Sequence, residues 1–229
     1  MILNRILFQN DACLVVNKLI GEAVEGARNG IISLPDVLSD ALNSKPEIME
    51  AVNRLDVPVT GCALFALNKE ALIFLNDIFS KENDSVKKRY WAIIEKPSSP
   101  PPESGELVHW IKINSNKNKS FAYNTESKGR KKASMRYRIT GEGDNYLFME
   151  IELLTGRHHQ IRAQLAAVDL HIKGDLKYGA KRGEKEGGIR LHARYLSFPD
   201  PLNRNEKIFV TAQVPKTDNL WRAFPVENC

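Results

Sequence analysis

The sequence is poor in the residues and runs that mark several large classes of protein. Among its 229 residues are only three cysteines, Cys13, Cys62 and Cys229, and none belongs to a CxxC pair. An odd number of widely spaced cysteines excludes a disulfide framework and a cysteine-rich zinc site, and is typical of a reducing compartment. No apolar run approaches the roughly 20 residues of a membrane helix. The N-terminus carries Asn, Gln and Asp where a signal peptide is uniformly apolar. We therefore predict a cytoplasmic protein without membrane contact.

The signatures of nucleotide-cofactor and metal chemistry are also missing. The sequence has no P-loop, no GxGxxG after a strand and no GxSxG. His158 and His159 are adjacent, so on a helix they point in different directions, and the HxxxH spacing of zinc sites is absent. We expect neither a cofactor nor a metal. A metal-dependent nuclease that uses His158, His159 and Asp175 is an alternative that this spacing disfavours.

The composition is that of one folded domain. Hydrophobic residues make up 42% of the chain and charged residues 27%, values far from those of a disordered protein. A chain of this length buries a large core without disulfides or metals. The one low-complexity stretch, PSSPPPESG at 97–105, indicates a loop because proline cannot join a sheet interior. We predict a single domain over residues 1–229.

Positive charge is concentrated in two segments. The whole chain carries a net charge of +5, but residues 112–138 alone carry +8 and residues 157–194 carry +5, which leaves −8 elsewhere. Such segregation indicates a positive face that binds a polyanion. The other interpretation of 112–138 is a solvated basic hairpin without a partner. We predict that this segment is an insertion or long hairpin.

Hydrophobic periodicity predicts more strands than helices. Strand patterns occupy 12–18, 62–68, 89–95, 134–140, 146–154, 190–198 and 206–214, while helical spacing occurs at 36–43, at 69–80 behind Asn68, and from about Gly156 to 168. Neither half is a regular alternation of strands and helices. The predicted class is α+β, with a mostly antiparallel mixed sheet and flanking helices.

Three stretches combine polar side chains with apolar strands. In NRLDVPVTG (53–61), Asp56 lies on a turn, where its carboxylate is either a structural turn group or a reactive one. In KKRYWAII (87–94), Tyr90 lies near the start of a strand, where an aromatic ring usually serves packing. In LLTGRHHQIR (153–162), donors crowd the start of a helix, an arrangement that attracts anions.

Together these stretches resemble the RluA-type pseudouridine synthases, which isomerise uridine in ribosomal or transfer RNA. The resemblance extends from about residue 6 to 216. NRLDVPVTGCALFALNK is similar to the signature stretch of the family, RYWAIIE to its tyrosine-bearing strand and TGRHHQIR to its Thr-Gly-Arg-x-His-Gln-Ile-Arg segment. The opening ILFQNDACLVVNKLIG and the later LHARYLSFPDP resemble its first and last strands.

The resemblance implies a pseudouridine synthase catalytic domain with an active-site cleft and no cofactor. It implies that Asp56 is the nucleophile, that Tyr90 lies beside the flipped uracil and that Arg162 lies against the aspartate. It also implies RNA as the partner of a protein that we expect to be monomeric and to lack an N-terminal accessory RNA-binding module. The residues expected to contact RNA are Arg54, Lys128, Arg130, Lys131, Lys132, Arg157, His159 and Gln160.

Two positions depart from the family pattern. Asn53 stands where the family usually has His, and Leu19 and Ile20 follow Lys18 where the family usually has Pro-x. These departures motivate an alternative from another class, a catalytically silent RNA-binding or RNA-chaperone protein on the same fold. Retention of Asp56, Tyr90 and Arg162 favours the enzyme.

Overall fold

The computed structural model describes residues 2–26, 30–42, 46–81, 84–214 and 218–224. Within these ranges the chain forms two compact units, and each unit takes in two stretches of the sequence. The first unit comprises residues 1–88 and 192–215, and the second comprises residues 89–191 and 216–229. The single domain expected over the whole chain stays a prediction.

The described residues form thirteen strands and four α-helices. They are β1 (Ile6–Gln9), β2 (Cys13–Lys18), β3 (Glu22–Ala23), β4 (Ile32–Ser33), α1 (Leu34–Ala41), β5 (Glu50–Ala51), β6 (Thr60–Ala66), α2 (Lys69–Ser80), β7 (Lys87–Glu95), β8 (Ser104–Asn114), β9 (Lys119–Tyr123), β10 (Lys131–Glu142), β11 (Tyr146–Leu153), α3 (Gln160–Ala166), β12 (Leu191–Pro199), β13 (Lys207–Thr211) and α4 (Asn219–Arg222). Strands dominate, so the predicted α+β class is confirmed. No helix in the described part of the chain is long and apolar enough to cross a membrane.

The sheet of the first unit is mixed. Strand β6 pairs antiparallel with β2 and β5, and parallel with the start of β12. Strand β1 continues the sheet beyond β2, and β13 pairs antiparallel with β12. The parallel contact needs glycine at position 61, which has a φ of 111° and where a Cβ would lie 2.3 Å from the Ala193 carbonyl oxygen. The signature stretch therefore enters the sheet at a point of close backbone approach.

Helix α2 has the bounds that the sequence predicts. The side-chain oxygen of Asn68 accepts a hydrogen bond from the Ala71 N–H at 2.8 Å, which caps the first turn. Ala71 and Leu75 pack into the core with β2, β6, β12 and β13. Helix α1, expected over 36–43, begins at Leu34 because Ser33 caps it through the Asp36 N–H. Residues 43–45 lie outside the described residues.

The sheet of the second unit is wholly antiparallel, in the order β7-β11-β10-β8-β9. The basic segment 112–138 supplies the end of β8, all of β9 and the start of β10, so β8 and β9 form a hairpin within this sheet. Helix α3 packs on one face, where Gln164 Nε2 donates to the carbonyl oxygens of Leu107 and Ala133 at 3.0 and 3.2 Å. Helix α3 carries Arg162, one of the predicted site residues of this unit.

Candidate functional site

Asp56 lies in the first unit, on the turn that leads directly into β6. Its carbonyl oxygen accepts a hydrogen bond from the Val59 N–H at 2.9 Å, which closes the turn. The residue is half-buried. The sequence predicts Asp56 on such a turn, and its catalytic role stays a prediction.

The side chain of Lys18 stabilises this turn through hydrogen bonds to its backbone. Its side chain is fully buried, and Nζ donates to three backbone carbonyls, including those of Val57 at 3.2 Å and Val59 at 2.6 Å. Three acceptors match the three hydrogens of an ammonium group. Burial lowers the pKa of Lys18 to about 8, and the negative charge of Asp56 is among those that oppose this shift. The buried amine therefore fixes the backbone on the C-terminal side of Asp56.

The departure at position 53 has a structural explanation. Asn53 is buried, its Nδ2 donates to the Cys62 carbonyl at 2.9 Å, and its Oδ1 accepts from the Leu64 N–H at 2.7 Å. One amide side chain thus bonds a donor and an acceptor of β6 and anchors the loop before Asp56. Arg54 is exposed, with its Nε 3.2 Å from a Glu25 carboxylate oxygen.

A buried histidine of β12 contacts the first residue of β6. His192 Nδ1 lies 2.8 Å from Thr60 Oγ1, and its Nε2 lies 3.0 Å from the Ala212 carbonyl oxygen. A carbonyl only accepts, so Nε2 carries the proton, and burial lowers the pKa of His192 to about 4. The imidazole is therefore neutral at physiological pH, and Thr60 Oγ1 donates to Nδ1. No pattern in the sequence distinguishes His192 from the other scattered histidines.

In the second unit, Arg162 forms a buried ion pair with Asp175. Arg162 Nε and Nη2 lie 2.7 and 2.8 Å from the two carboxylate oxygens, and the side chains are 5% and 2% exposed. This bidentate geometry fixes the guanidinium plane. The sequence alone offers Asp175 only as a candidate metal ligand. The role that the resemblance gives Arg162, beside Asp56, stays a prediction.

The aromatic ring of Tyr178 supports the same guanidinium. Arg162 Cζ lies 4.8 Å from the ring centroid, and the Tyr178 hydroxyl lies 2.9 Å from His159 Nδ1. The hydroxyl also accepts the Ser120 N–H at 2.8 Å. Asp175 and Tyr178 lie on the turn at 174–179, which begins and ends with glycines whose φ angles are 91° and 100°. The Gly-Asp-x-x-Tyr-Gly spacing of this turn is the sequence signal for Asp175 and Tyr178.

The expected helix start near Gly156 is wrong. Helix α3 begins at Gln160, because His159 adopts the left-handed conformation with a φ of 51°. The buried Gln160 side chain replaces the missing turn: its Oε1 accepts from Thr155 Oγ1 at 2.7 Å and from the Arg157 N–H at 3.0 Å. His158 and His159 therefore lie before the helix, so the expectation that their adjacent side chains diverge on a helix does not apply. The two histidine rings instead stack, with centroids 3.8 Å apart.

The remaining predicted residues also lie in the second unit. Tyr90 is a buried residue of β7 that pairs with Ile151 of β11. Arg157 Nε donates to the Lys132 carbonyl at 2.9 Å. The basic residues Lys128, Lys131 and Lys132 are exposed, and Arg130 is half-buried. Among the described residues, no cluster of three or more His, Cys, Asp or Glu side chains could hold a metal ion.

Comparisons with known proteins identify this arrangement. Residues 12–167 match the family described as RNA pseudouridylate synthase. An RNA pseudouridine synthase of Zymomonas mobilis, itself described as uncharacterized, is 31% identical over 215 residues, which are 92% of this chain and 93% of that protein. The tRNA pseudouridine synthase C of Haemophilus ducreyi is 28% identical, with 95% and 92% coverage. The ribosomal large subunit pseudouridine synthase C of Vibrio parahaemolyticus is 26% identical, with 86% and 62% coverage.

A solved structure shares the fold. The structure of human RNA pseudouridylate synthase domain containing 4 superimposes with a TM-score of 0.74 at 23% identity and covers 94% of this chain and 90% of that one. The fold is therefore that of the pseudouridine synthases. The extent of the family match places the chain in the RNA pseudouridylate synthase family, among its RluA-type members. It is an isomerase that converts uridine in RNA to pseudouridine.

Proposed function

We propose that this enzyme isomerises specific uridines of ribosomal or transfer RNA in the cytoplasm, as a monomer and without a cofactor. Asp56, Tyr90 and Arg162 are its catalytic residues in this proposal. Relatives named for both RNA classes support this range of substrates. The observation that carries the assignment is Asp56, the one acidic residue of 51–69, on a turn within the matched range that Lys18 holds in place.

The chemistry needs an ionised carboxylate at a flipped nucleotide. The bond from the ribose to uracil N1 breaks, the base turns, and a bond forms from the ribose to C5. C5 loses a proton and N1 gains one, so the composition of the RNA is unchanged. Asp56 begins the reaction by attacking the nucleotide or by taking a proton from the ribose. No electrons or groups leave the nucleotide, and no cofactor is therefore part of the proposal.

Arg162 and Tyr90 assist this carboxylate. A permanently charged guanidinium favours the ionised form of a nearby carboxylate more reliably than lysine does, and Asp175 fixes its orientation. Tyr90 offers a flat ring for the uracil and a hydroxyl that can move a proton. Arg54 enters the space that the flipped base leaves in the RNA.

The decisive experiment is Asp56→Asn, which is nearly isosteric but can act neither as nucleophile nor as base. Pseudouridine formation, followed by carbodiimide-resistant stops in reverse transcription, becomes undetectable, while RNA affinity is retained or rises because a negative charge has left a site that faces a polyanion. Asp77→Asn, on the exposed side of α2, is the matched control. Pseudouridine made by Asp56→Asn at the wild-type rate would overturn the assignment.

The same assay separates the alternative functions. A silent RNA-binding protein makes no pseudouridine in the wild type or in Asp56→Asn. A metal-dependent nuclease cleaves RNA, is stopped by excess EDTA and is indifferent to Asp56→Asn. The proposed enzyme isomerises uridine in excess EDTA.

Tyr90→Phe tests the second catalytic assignment. The substitution keeps the ring and removes only the hydroxyl, so kcat falls while RNA affinity stays near that of the wild type if the hydroxyl moves a proton. Full turnover restricts Tyr90 to stacking against the base.

The remaining assigned residues contact RNA by charge and by donated hydrogen bonds. They are Lys128, Arg130, Lys131, Lys132, Arg157, His159 and Gln160. Replacing the four basic residues from 128 to 132 by Ala weakens binding and flattens its salt dependence, because fewer counterions are released. An unchanged slope of log K against log salt would show that this segment does not contact the RNA.

A further inference from the structure

One face of the sheet in the second unit carries alternating aromatic and basic side chains. Residues directly opposite in an antiparallel pair point to the same face, and Trp110 of β8 lies opposite both Lys132 of β10 and Tyr123 of β9. Lys112 lies opposite Phe121 in the next row on that face. We call Trp110, Lys112, Phe121, Tyr123, Arg130 and Lys132 the aromatic–basic face.

Cations lie against the rings of this face. The Arg130 guanidinium carbon is 3.7 Å from the centroid of the Tyr123 ring, and its Nη1 donates to the Thr125 carbonyl at 2.9 Å. Lys119 Nζ is 5.5 Å from the Phe121 ring centroid and 4.8 Å from that of Tyr178. Lys119 therefore links the aromatic–basic face, around strand β9, to the turn that carries Asp175 and Tyr178.

The aromatic–basic face points away from helix α3. Side chains of the alternate residues point to the α3 side: His109 is buried there beside Gln164, and Ser120 Oγ lies 2.8 Å from His158 Nδ1. At the β7 end of the outward face, the Phe224 ring stacks on Trp91 with centroids 4.4 Å apart. At the β9 end the apolar groups stay exposed, 37% for Phe121 and 39% for Val108.

We propose that the aromatic–basic face binds a single-stranded segment of the substrate RNA that flanks the target uridine. Bases stack on the rings of Phe121, Tyr123 and Trp110, and phosphates lie against Lys112 and Lys132. Rings interleaved with cations fit unpaired RNA, because every base has a π-face and every linkage a charge. The proposal deepens the proposed function and rests on it in one respect, that the bound RNA is the substrate.

Charge and geometry together favour this occupant over the others. Segment 112–138 carries +8, which fits a polyanion better than an apolar protein surface. A duplex presents phosphates but keeps its bases inside, so it can contact the lysines but has no free base to stack on the aromatic rings. A segment of RNA on this face cannot include the uridine that reacts near Arg162, because Arg162 lies on the opposite side of the sheet. It is therefore a contact outside the catalytic pocket.

The test measures the binding of an oligouridylate of about 12 nucleotides through the change in tryptophan fluorescence. Trp110 is the half-buried reporter, whereas Trp91 and Trp221 are 9% and 7% exposed. Phe121→Ala and Tyr123→Ala each weaken binding by roughly tenfold without changing its salt slope, as expected for lost stacking. Lys112→Ala lowers the salt slope by about one, as expected for one lost phosphate contact. The matched control is Phe209→Ala, a 65% exposed phenylalanine on β13 of the first unit, which binds as the wild type does.

Turnover provides the second readout. Phe121→Ala raises the KM for an RNA substrate with single-stranded flanks by the same factor as it weakens oligouridylate binding. Unchanged oligouridylate affinity in both aromatic variants overturns the proposal, and so does a duplex of equal length that quenches Trp110 as strongly. Binding is measured without turnover, so a wild type that binds but does not isomerise refutes the proposed function instead.

Discussion

Replacing Asp175 by Asn removes the negative charge that faces Arg162 inside the second unit. The pair is bidentate, with nitrogen–oxygen distances of 2.7 and 2.8 Å, and the side chains are only 5% and 2% exposed. Removing one partner of a buried ion pair costs about 3–5 kcal/mol. Asn retains one acceptor oxygen, so we expect the lower end, about 3 kcal/mol, which corresponds to a fall in Tm of about 6–12 °C for a chain of this size.

The measurement is thermal and urea unfolding of the wild type, Asp175→Asn and a matched control. Asp77→Asn makes the same chemical change in the exposed pair Lys81–Asp77, whose side chains are 60% and 54% exposed, so its effect stays below about 0.5 kcal/mol. A loss below about 1 kcal/mol in Asp175→Asn would refute the argument that this pair holds the unit together.

Activity distinguishes support of Arg162 from general stability. Well below its Tm, Asp175→Asn lowers kcat for isomerisation because the guanidinium loses its fixed plane, and Asp175→Glu, which keeps the charge, recovers part of it. The double variant Arg162→Leu with Asp175→Leu regains much of the stability, because a buried pair is often replaced by apolar residues without loss. It recovers no activity. Full activity in the double variant would exclude Arg162 from catalysis.

Burial shifts the pKa of four further groups, His192, Lys18, Cys13 and Cys62. Burial lowers the pKa of His192 from 6.5 to about 4, so the unfolded chain binds the extra proton. The free energy of unfolding of the wild type relative to His192→Asn is therefore highest above pH 6.5 and falls by up to about 3 kcal/mol as the pH drops to 4. A difference between the two proteins that does not change with pH would contradict this. For Lys18, whose pKa burial lowers from 10.5 to about 8, the wild type gains up to about 3 kcal/mol relative to Lys18→Met as the pH rises from 8 to 10.5, measured by urea unfolding. A flat difference between the two would place the Lys18 amine in a solvated environment. Burial raises the pKa of Cys13 and Cys62 to about 12, so both thiols resist alkylation at pH 8 in the folded protein, as peptide mapping can check; labelling of either at the rate of the denatured chain would count against their burial.

Local patterns were sufficient where local interactions decide the structure. The bounds of α2 and its Asn68 cap agree with the sequence because side-chain periodicity and one capping bond determine them. Strand β10 contains the predicted strand 134–140, and its residues Arg136 and Arg138 are both exposed. The start of α3 was missed because the unusual backbone of His159 is stabilised by Tyr178, 19 residues away. Propensity rules do not include such a contact.

The partners of the site residues were beyond local reasoning for the same reason. Asp175 lies 13 residues from Arg162, and His192 lies 132 residues from Thr60. Asp56 could be located on a turn, but the buried Lys18 amine under that turn lies 41 residues from Val59, one of its acceptors. Family resemblance points to the reacting groups, and only three-dimensional contacts reveal what holds them.

Buried polar groups collect around the residues assigned to chemistry in each unit taken separately. In the first, Lys18 bonds the turn after Asp56 and Asn53 bonds the loop before it. In the second, Asp175 and Tyr178 enclose the Arg162 guanidinium. Each of these groups loses hydration on burial, and apolar residues of similar size generally give equal or greater stability. Stability alone therefore does not explain their presence. Precise placement of a carboxylate and a guanidinium does, since a reacting group misplaced by about 1 Å costs on the order of 100-fold in rate.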